Sequence, residues 1–89
     1  MPEREPNAIA VFESIHHVLA AERAFHDQGL WCDLVPAPRA ISSDCGMVLE
    51  FHTSERVPAR TLLMDPRLRL KGIYLPSAGG FVQWNPDGD

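Results

Sequence analysis

Apolar residues gather along this chain into short runs and one helical arc, and their spacing predicts six elements. Ala8–Phe12 is an unbroken apolar run bounded by turn-forming residues, the pattern of a buried strand. Ser14 stands where an N-cap belongs, its hydroxyl placed to accept from free amides of a first helical turn. Ile15–Gln28 suits a helix that Gly29 would end in a left-handed cap. At about 100° per residue, Ile15, Val18, Leu19, Ala21 and Phe25 share one side of it. Leu30–Val35 reads as the second strand, and a helical crossover of this length fits parallel pairing with the first. Met47–Phe51 is the third, antiparallel to the second. Thr53 or Ser54 can cap a second helix over Glu55–Met64, with Pro58 tolerated in its first turn and Asp65-Pro66 stopping it. Alternating Leu68 and Leu70 run through Gly72 into Ile73-Tyr74-Leu75, the fourth strand.

The order strand–helix–strand–strand–helix–strand predicts an α+β fold of the ferredoxin-like, split βαβ kind. In it a four-stranded antiparallel sheet carries two helices on one face. Residues 1–7 are polar and read as a flexible lead-in, 8–75 form the single domain, and 76–89 form an irregular tail. Phe81 and Trp84 are the tail's anchors. Eighty-nine residues make one small core with little reserve stability, and the apolar share of 45% rules against wholesale disorder. A formal charge of −4 weighs against a nucleic-acid partner. No apolar run has the length of a membrane span, and Met1–Pro6 lacks the apolar core of a secretion signal. The cytoplasm is the expected compartment, and there the two cysteines are expected as free thiols.

The connection between the second and third strands stands out from this frame. A hairpin needs only about two to five connecting residues, whereas Pro36–Gly46 is about twice that, and long loops in compact domains tend to carry function. Pro36 and Pro38 stiffen its entry, Arg39 supplies a permanent positive charge, and Cys45 precedes a glycine free to adopt backbone shapes that other residues avoid. Arg39 would lower the Cys45 pKa if the loop folds back on itself, and the adjacent Asp44 would raise it. Cys45 is therefore either a presented nucleophile or a small apolar residue opening a strand. Cys32, inside a strand beside Trp31, reads as core.

Glu22 falls within the apolar arc of the first helix, so it either reaches water at the rim or pairs with Arg39 and steadies the loop. His16, His17, His26 and His52 have no metal-ligand spacing, and His16 and His17 diverge by about 100° on the helix. Neither a metal nor a cofactor is expected. No phosphate loop, nucleophile elbow or dinucleotide fingerprint is present in the sequence.

The loop and its flanks resemble the selenium/sulfur carrier-like domains, a family of small bacterial and archaeal proteins. The matching pieces are Phe12-Glu13-Ser14, Val18, Leu19 and Glu22 on the helix, then Gly29-Leu30. Leu34-Val35-Pro36-Ala37-Pro38-Arg39 and Ile41-Ser42-Ser43-Asp44-Cys45-Gly46 follow in order, and the resemblance covers most of Ala8–Leu75. Similar domains occur attached to a TusA-type sulfur carrier in selenium-metabolism proteins. The resemblance implies that Cys45 is the cargo-bearing thiol, with Arg39 and Ser42 as its neighbours. It further implies a desulfurase-like sulfur or selenium donor and an acceptor protein as partners. A carrier, rather than a true enzyme, is the expectation. The alternative from another class is a binding or regulatory module that uses the loop and Arg39, with the thiol incidental.

Overall fold

The computed structural model describes residues 7–41 and 46–84. The elements run β1 (Asn7–Phe12), α1 (Ile15–Asp27), β2 (Cys32–Pro36), β3 (Met47–His52), α2 (Arg56–Leu63), β4 (Leu70–Ser77) and β5 (Gly80–Trp84). Short 3-10 turns at Thr53–Glu55 and Pro66–Leu68 flank α2. The fold is α+β, with a five-stranded, wholly antiparallel sheet in the order β2-β3-β1-β4-β5.

β1 is central, and Ala8 through Phe12 are all buried because both faces of the sheet above and below it are covered. On one face Ala8, Ala10 and Phe12 pack with Cys32, Leu49, Phe51 and Ile73 from neighbouring strands, and with Val18, Ala21, Phe25, Ala59 and Leu63 from the two helices. Phe25 and Phe51 lie tilted with ring centroids 5.7 Å apart, the joint between α1 and β3. The opposite, helix-free face carries a second cluster of Ile9, Val11 and Val48, to which the Pro36–Gly46 loop contributes Ile41.

α1 starts at Ser14, whose extended backbone places it at the N-cap. Its hydroxyl, expected to serve the first-turn amides, instead lies 2.8 Å from His17 Nδ1, and its carbonyl accepts from the His17 and Val18 amides. The helix closes in a Schellman motif: Leu30 N–H donates to the Phe25 carbonyl at 2.9 Å and Gly29 N–H to His26 at 3.0 Å, with Gly29 at φ +72°. Leu19, expected within the buried arc, is 45% exposed, because the buried stripe narrows to Val18, Ala21 and Phe25.

Four further expectations need correction. β2 does not pair with β1, because β3 lies between them and the crossover lands one strand further out. Neither Thr53 nor Ser54 caps the second helix; both are taken up in a 3-10 turn, and α2 begins at Arg56 with Pro58 in its first turn, where its missing N–H costs nothing. β4 is longer than Ile73–Leu75, with a register shift between Val11 and Phe12 on its partner β1. The sheet has five strands, not four, because the stretch read as irregular tail forms a hairpin. Ser77 pairs with Gly80 around Ala78-Gly79, Gly79 takes φ +83°, and Phe81, Val82, Gln83 and Trp84 continue the ladder along β4. The two aromatic anchors divide between the faces: Phe81 packs on the helix-free cluster and Trp84 on the helical core.

Candidate functional site: the Pro36–Gly46 loop

The loop leaves the sheet where the β2–β3 ladder ends, at the Pro36–Met47 pair. One bond beyond that pair, Ala37 N–H donates to the Gly46 carbonyl at 2.9 Å and closes the neck. Gly46 holds φ +79°, and a Cβ there would meet nothing within 4 Å, so the demand for glycine at this hinge is conformational rather than steric. Within the loop Ile41 N–H donates to the Pro38 carbonyl at 2.9 Å, which makes Pro38–Ile41 a turn with Arg39 and Ala40 exposed at its tip. The turn reverses the chain and drives Ile41 back onto the sheet, where it is only 4% exposed among Ile9, Val11 and Val48. Val35, Ala37, Tyr74 and Phe81 pack around this cluster.

Ser42, Asp44 and Cys45, named above as the thiol and its neighbours, lie outside the described residues. Arg39 is exposed on the loop tip, and Gly46 is at the neck. Glu22 is elsewhere. It is half-buried on α1, its carbonyl faces the Cys32 thiol at 4.0 Å, and it belongs to the helical layer, whereas the loop is seated on the opposite face. No ion pair joins Glu22 to Arg39 among the described residues, so the expected clamp on the loop is not formed. The sheet itself separates the two groups.

Cys32 is buried in β2 at 8% exposure. Loss of solvent, then the negative charges of Glu22 and Asp33, push its thiol up from 9.0 to about 11. Such a thiol is almost wholly protonated near neutrality and is a poor nucleophile. His17 is engaged with Ser14, His16 and His26 are exposed, and His52 stacks on Trp31 with centroids 4.4 Å apart. Among the described residues no group of three or more His, Cys, Asp or Glu side chains is placed to hold a metal ion. No helix of the described residues is long and apolar enough to cross a membrane.

Two contributors to the site escaped the reading of the sequence. Ile41 was visible as one link of the loop motif, but its role as the side chain that seats the loop was not. A signal existed: it is the one large aliphatic side chain between Pro36 and Gly46. Phe81 stood in a presumed tail, although Gly79-Gly80 followed by Phe-Val-Gln-Trp is a hairpin signal in its own right.

No curated protein and no solved structure matches the chain. A family model does, over residues 7–75, a span that holds β1 through most of β4 and the whole loop and stops short of β5. The chain belongs to the family described as Putative Se/S carrier protein-like.

Proposed function

We propose that this domain carries sulfur or selenium on Cys45, accepting it from a donor protein and handing it to an acceptor. The observation that carries the reading is the burial of Cys32 within a member of this family. Cys32 is buried with its ionisation suppressed, which leaves Cys45, the other cysteine of the sequence, as the thiol for cargo. In the loading step the Cys45 thiolate attacks the outer sulfur of a donor persulfide. The new S–S bond forms as the donor S–S bond breaks, the donor cysteine leaves as thiolate with the bonding pair, and no net oxidation occurs. Delivery reverses the roles: an acceptor nucleophile takes the outer sulfur and Cys45 leaves as thiolate. A selenium cargo follows the same course through a selenosulfide.

In this reading Arg39 favours the thiolate and the leaving thiolate through its positive charge, Ser42 supplies a hydrogen-bond partner and Asp44 opposes ionisation. Gly46 sets the neck, and Glu22 adds its charge to the burial that keeps Cys32 protonated. The strand order β4-β1-β3-β2, with β3 between β1 and β2, supports reading the first four strands as a ferredoxin-like split βαβ unit to which β5 is appended. A reducing compartment such as the cytoplasm suits a working thiol.

The test is loading. Incubated with a cysteine desulfurase and free cysteine, the protein gains one sulfur atom in its intact mass. Reductant removes that atom, and the Cys45→Ser protein never acquires it. Wild-type protein that stays unmodified under conditions that load a known sulfur carrier would overturn the carrier reading in favour of a binding module built on the same loop.

A further inference from the structure

The helix-free face of the sheet poses a packing question that the carrier reading does not answer. Ile9, Val11 and Val48 project from β1 and β3 away from both helices, yet none is more than 3% exposed. Val35, Ala37, Tyr74 and Phe81 surround this patch, and the fourth fully buried member of the cluster is Ile41, which reaches it from the loop. The one large aliphatic side chain of the Pro36–Gly46 loop is thus buried in an apolar patch on the face that carries no helix. The rest of Pro36–Gly46 consists of proline, alanine, arginine, serine, aspartate, cysteine and glycine, none of which has the apolar bulk to do the same.

Ile41 also sits at the point where its anchoring matters most. Between the neck residues Ala37 and Gly46 lie eight residues, and a loop fastened only at its neck would swing as one piece. The Pro38–Ile41 turn brings the chain back to the sheet, and the buried side chain pins it there, so only four residues, 42–45, separate Ile41 from the neck bond. Shorter spans between fixed points sample fewer conformations, and group transfer between two proteins is sensitive to placement on the scale of an ångström.

We infer that Ile41 is the positioning residue of this loop: buried on Ile9, Val11 and Val48, it fixes where the loop is presented and, on the carrier reading, the rate at which cargo is accepted. On that reading it acts through the segment it holds.

The experiment compares Ile41→Ser with Ile41→Val and Ile41→Leu in the full chain. Amide exchange at Ala37 and Ile41 reports the seat without reference to function. The rate of sulfur loading from a cysteine desulfurase and cysteine reports its consequence, and the thermal midpoint of each variant separates loop release from unfolding. In Ile41→Ser, the protection of the Ala37 amide should fall at least tenfold while amides of β1 and α1 keep theirs. Loading should slow by a factor on the order of ten to a hundred. Val or Leu, which refill the same apolar seat, should restore both. Undiminished Ala37 protection in Ile41→Ser would overturn the inference, and so would normal loading despite lost protection. If the wild-type protein loads no sulfur, the carrier reading fails by itself. The seat is then judged by Ala37 exchange and by the rate at which iodoacetamide alkylates Cys45, which must change between Ile41→Ser and Ile41→Val for the inference to stand.

Discussion

The exclusion of Cys32 as the cargo thiol can be tested alone, by leaving it as the single thiol in a Cys45→Ser protein. Raising its pKa from 9.0 to about 11 makes thiolate about a hundredfold scarcer at any pH below 9. Burial at 8% exposure adds a requirement for local opening before any reagent arrives. Alkylation by iodoacetamide at pH 8, followed by intact mass, should therefore run at least about a hundredfold slower in the native protein than in the same protein in denaturant. The pH dependence carries a second signature. The native rate should climb about tenfold per pH unit through pH 9, where an ordinary thiol levels off, and circular dichroism at each pH confirms that the fold persists. The folded pKa lies above the unfolded one, so the protonated thiol favours the folded state below pH 9, and that contribution is lost as pH rises from 9 towards 11. Native labelling within tenfold of the denatured control, or a plateau near pH 9, would refute the reasoning. Cys32 would then be an accessible, ionisable thiol, and Cys45 could no longer be assigned by contrast with it.

Glu22→Gln should lower the Cys32 pKa, because the Glu22 charge is one cause of its rise, and should cost within about 0.5 kcal/mol of stability since no ion pair is lost; thiolate absorbance against pH and a denaturant melt check both, and a multi-kcal/mol loss would point to a buried partner. Phe25→Ala removes a ring that is 1% exposed and packed on Phe51, and should destabilise by roughly 3–5 kcal/mol in urea unfolding; a loss below about 1 kcal/mol would contradict the placement of α1. Gly79→Val forces a β-branched residue to φ +83° at the β4–β5 turn and should cost on the order of 1–2 kcal/mol, while the Tyr74–Gln83 and Leu75–Val82 cross-strand contacts weaken in nuclear Overhauser spectra; an unchanged melting temperature would argue against the hairpin. Asp65, held down to about 2 by its hydrogen bonds from the Arg67 side chain and amide, lies below its usual 3.8, so its contribution to the Pro66–Leu68 turn is present above pH 4 and lost as pH falls towards 2. Carboxyl chemical shifts should titrate with that low midpoint, and Arg67→Ala, which removes the side-chain bonds but keeps the amide donor, should raise it part of the way to the ordinary range.

How far the structure could be read from the sequence depended on whether the deciding interaction was local. The first helix ends at Gly29 because the Schellman bonds join residues within five positions of one another. β1 read as a buried strand because five successive apolar residues leave no polar face to expose. The neck glycine read correctly because φ +79° at Gly46 is a property of a single residue. Failures came where partners were distant. Glu22 and Arg39 are opposite charges, and pairing them required both on one side of the sheet. Helical periodicity fixes the angle of Glu22 about α1 but contains nothing on which face the loop chooses. The loop goes to the face without helices, because Ile41 finds Ile9, Val11 and Val48 there.

That face has its own signature in the sequence. A central strand buried on both sides demands two covers, and two helices on one face supply only one. Ile9, Val11 and Val48 therefore required a cover that the helices do not supply, and the apolar material outside the βαββαβ elements includes Ile41 in the long loop and the aromatic residues after Leu75. Both are used. Phe81, from the hairpin beyond the family span, packs against the cluster that seats the loop, so β5 is coupled to the candidate site through an apolar contact. The length of the Pro36–Gly46 loop follows from the same requirement. It must reach past the end of the β2–β3 ladder, turn at Pro38–Ile41, and set one aliphatic side chain on the sheet before returning to Gly46. A shorter hairpin would remove the Ile41 part of the cover over Val11 and Val48, and the loop would lose its second point of attachment.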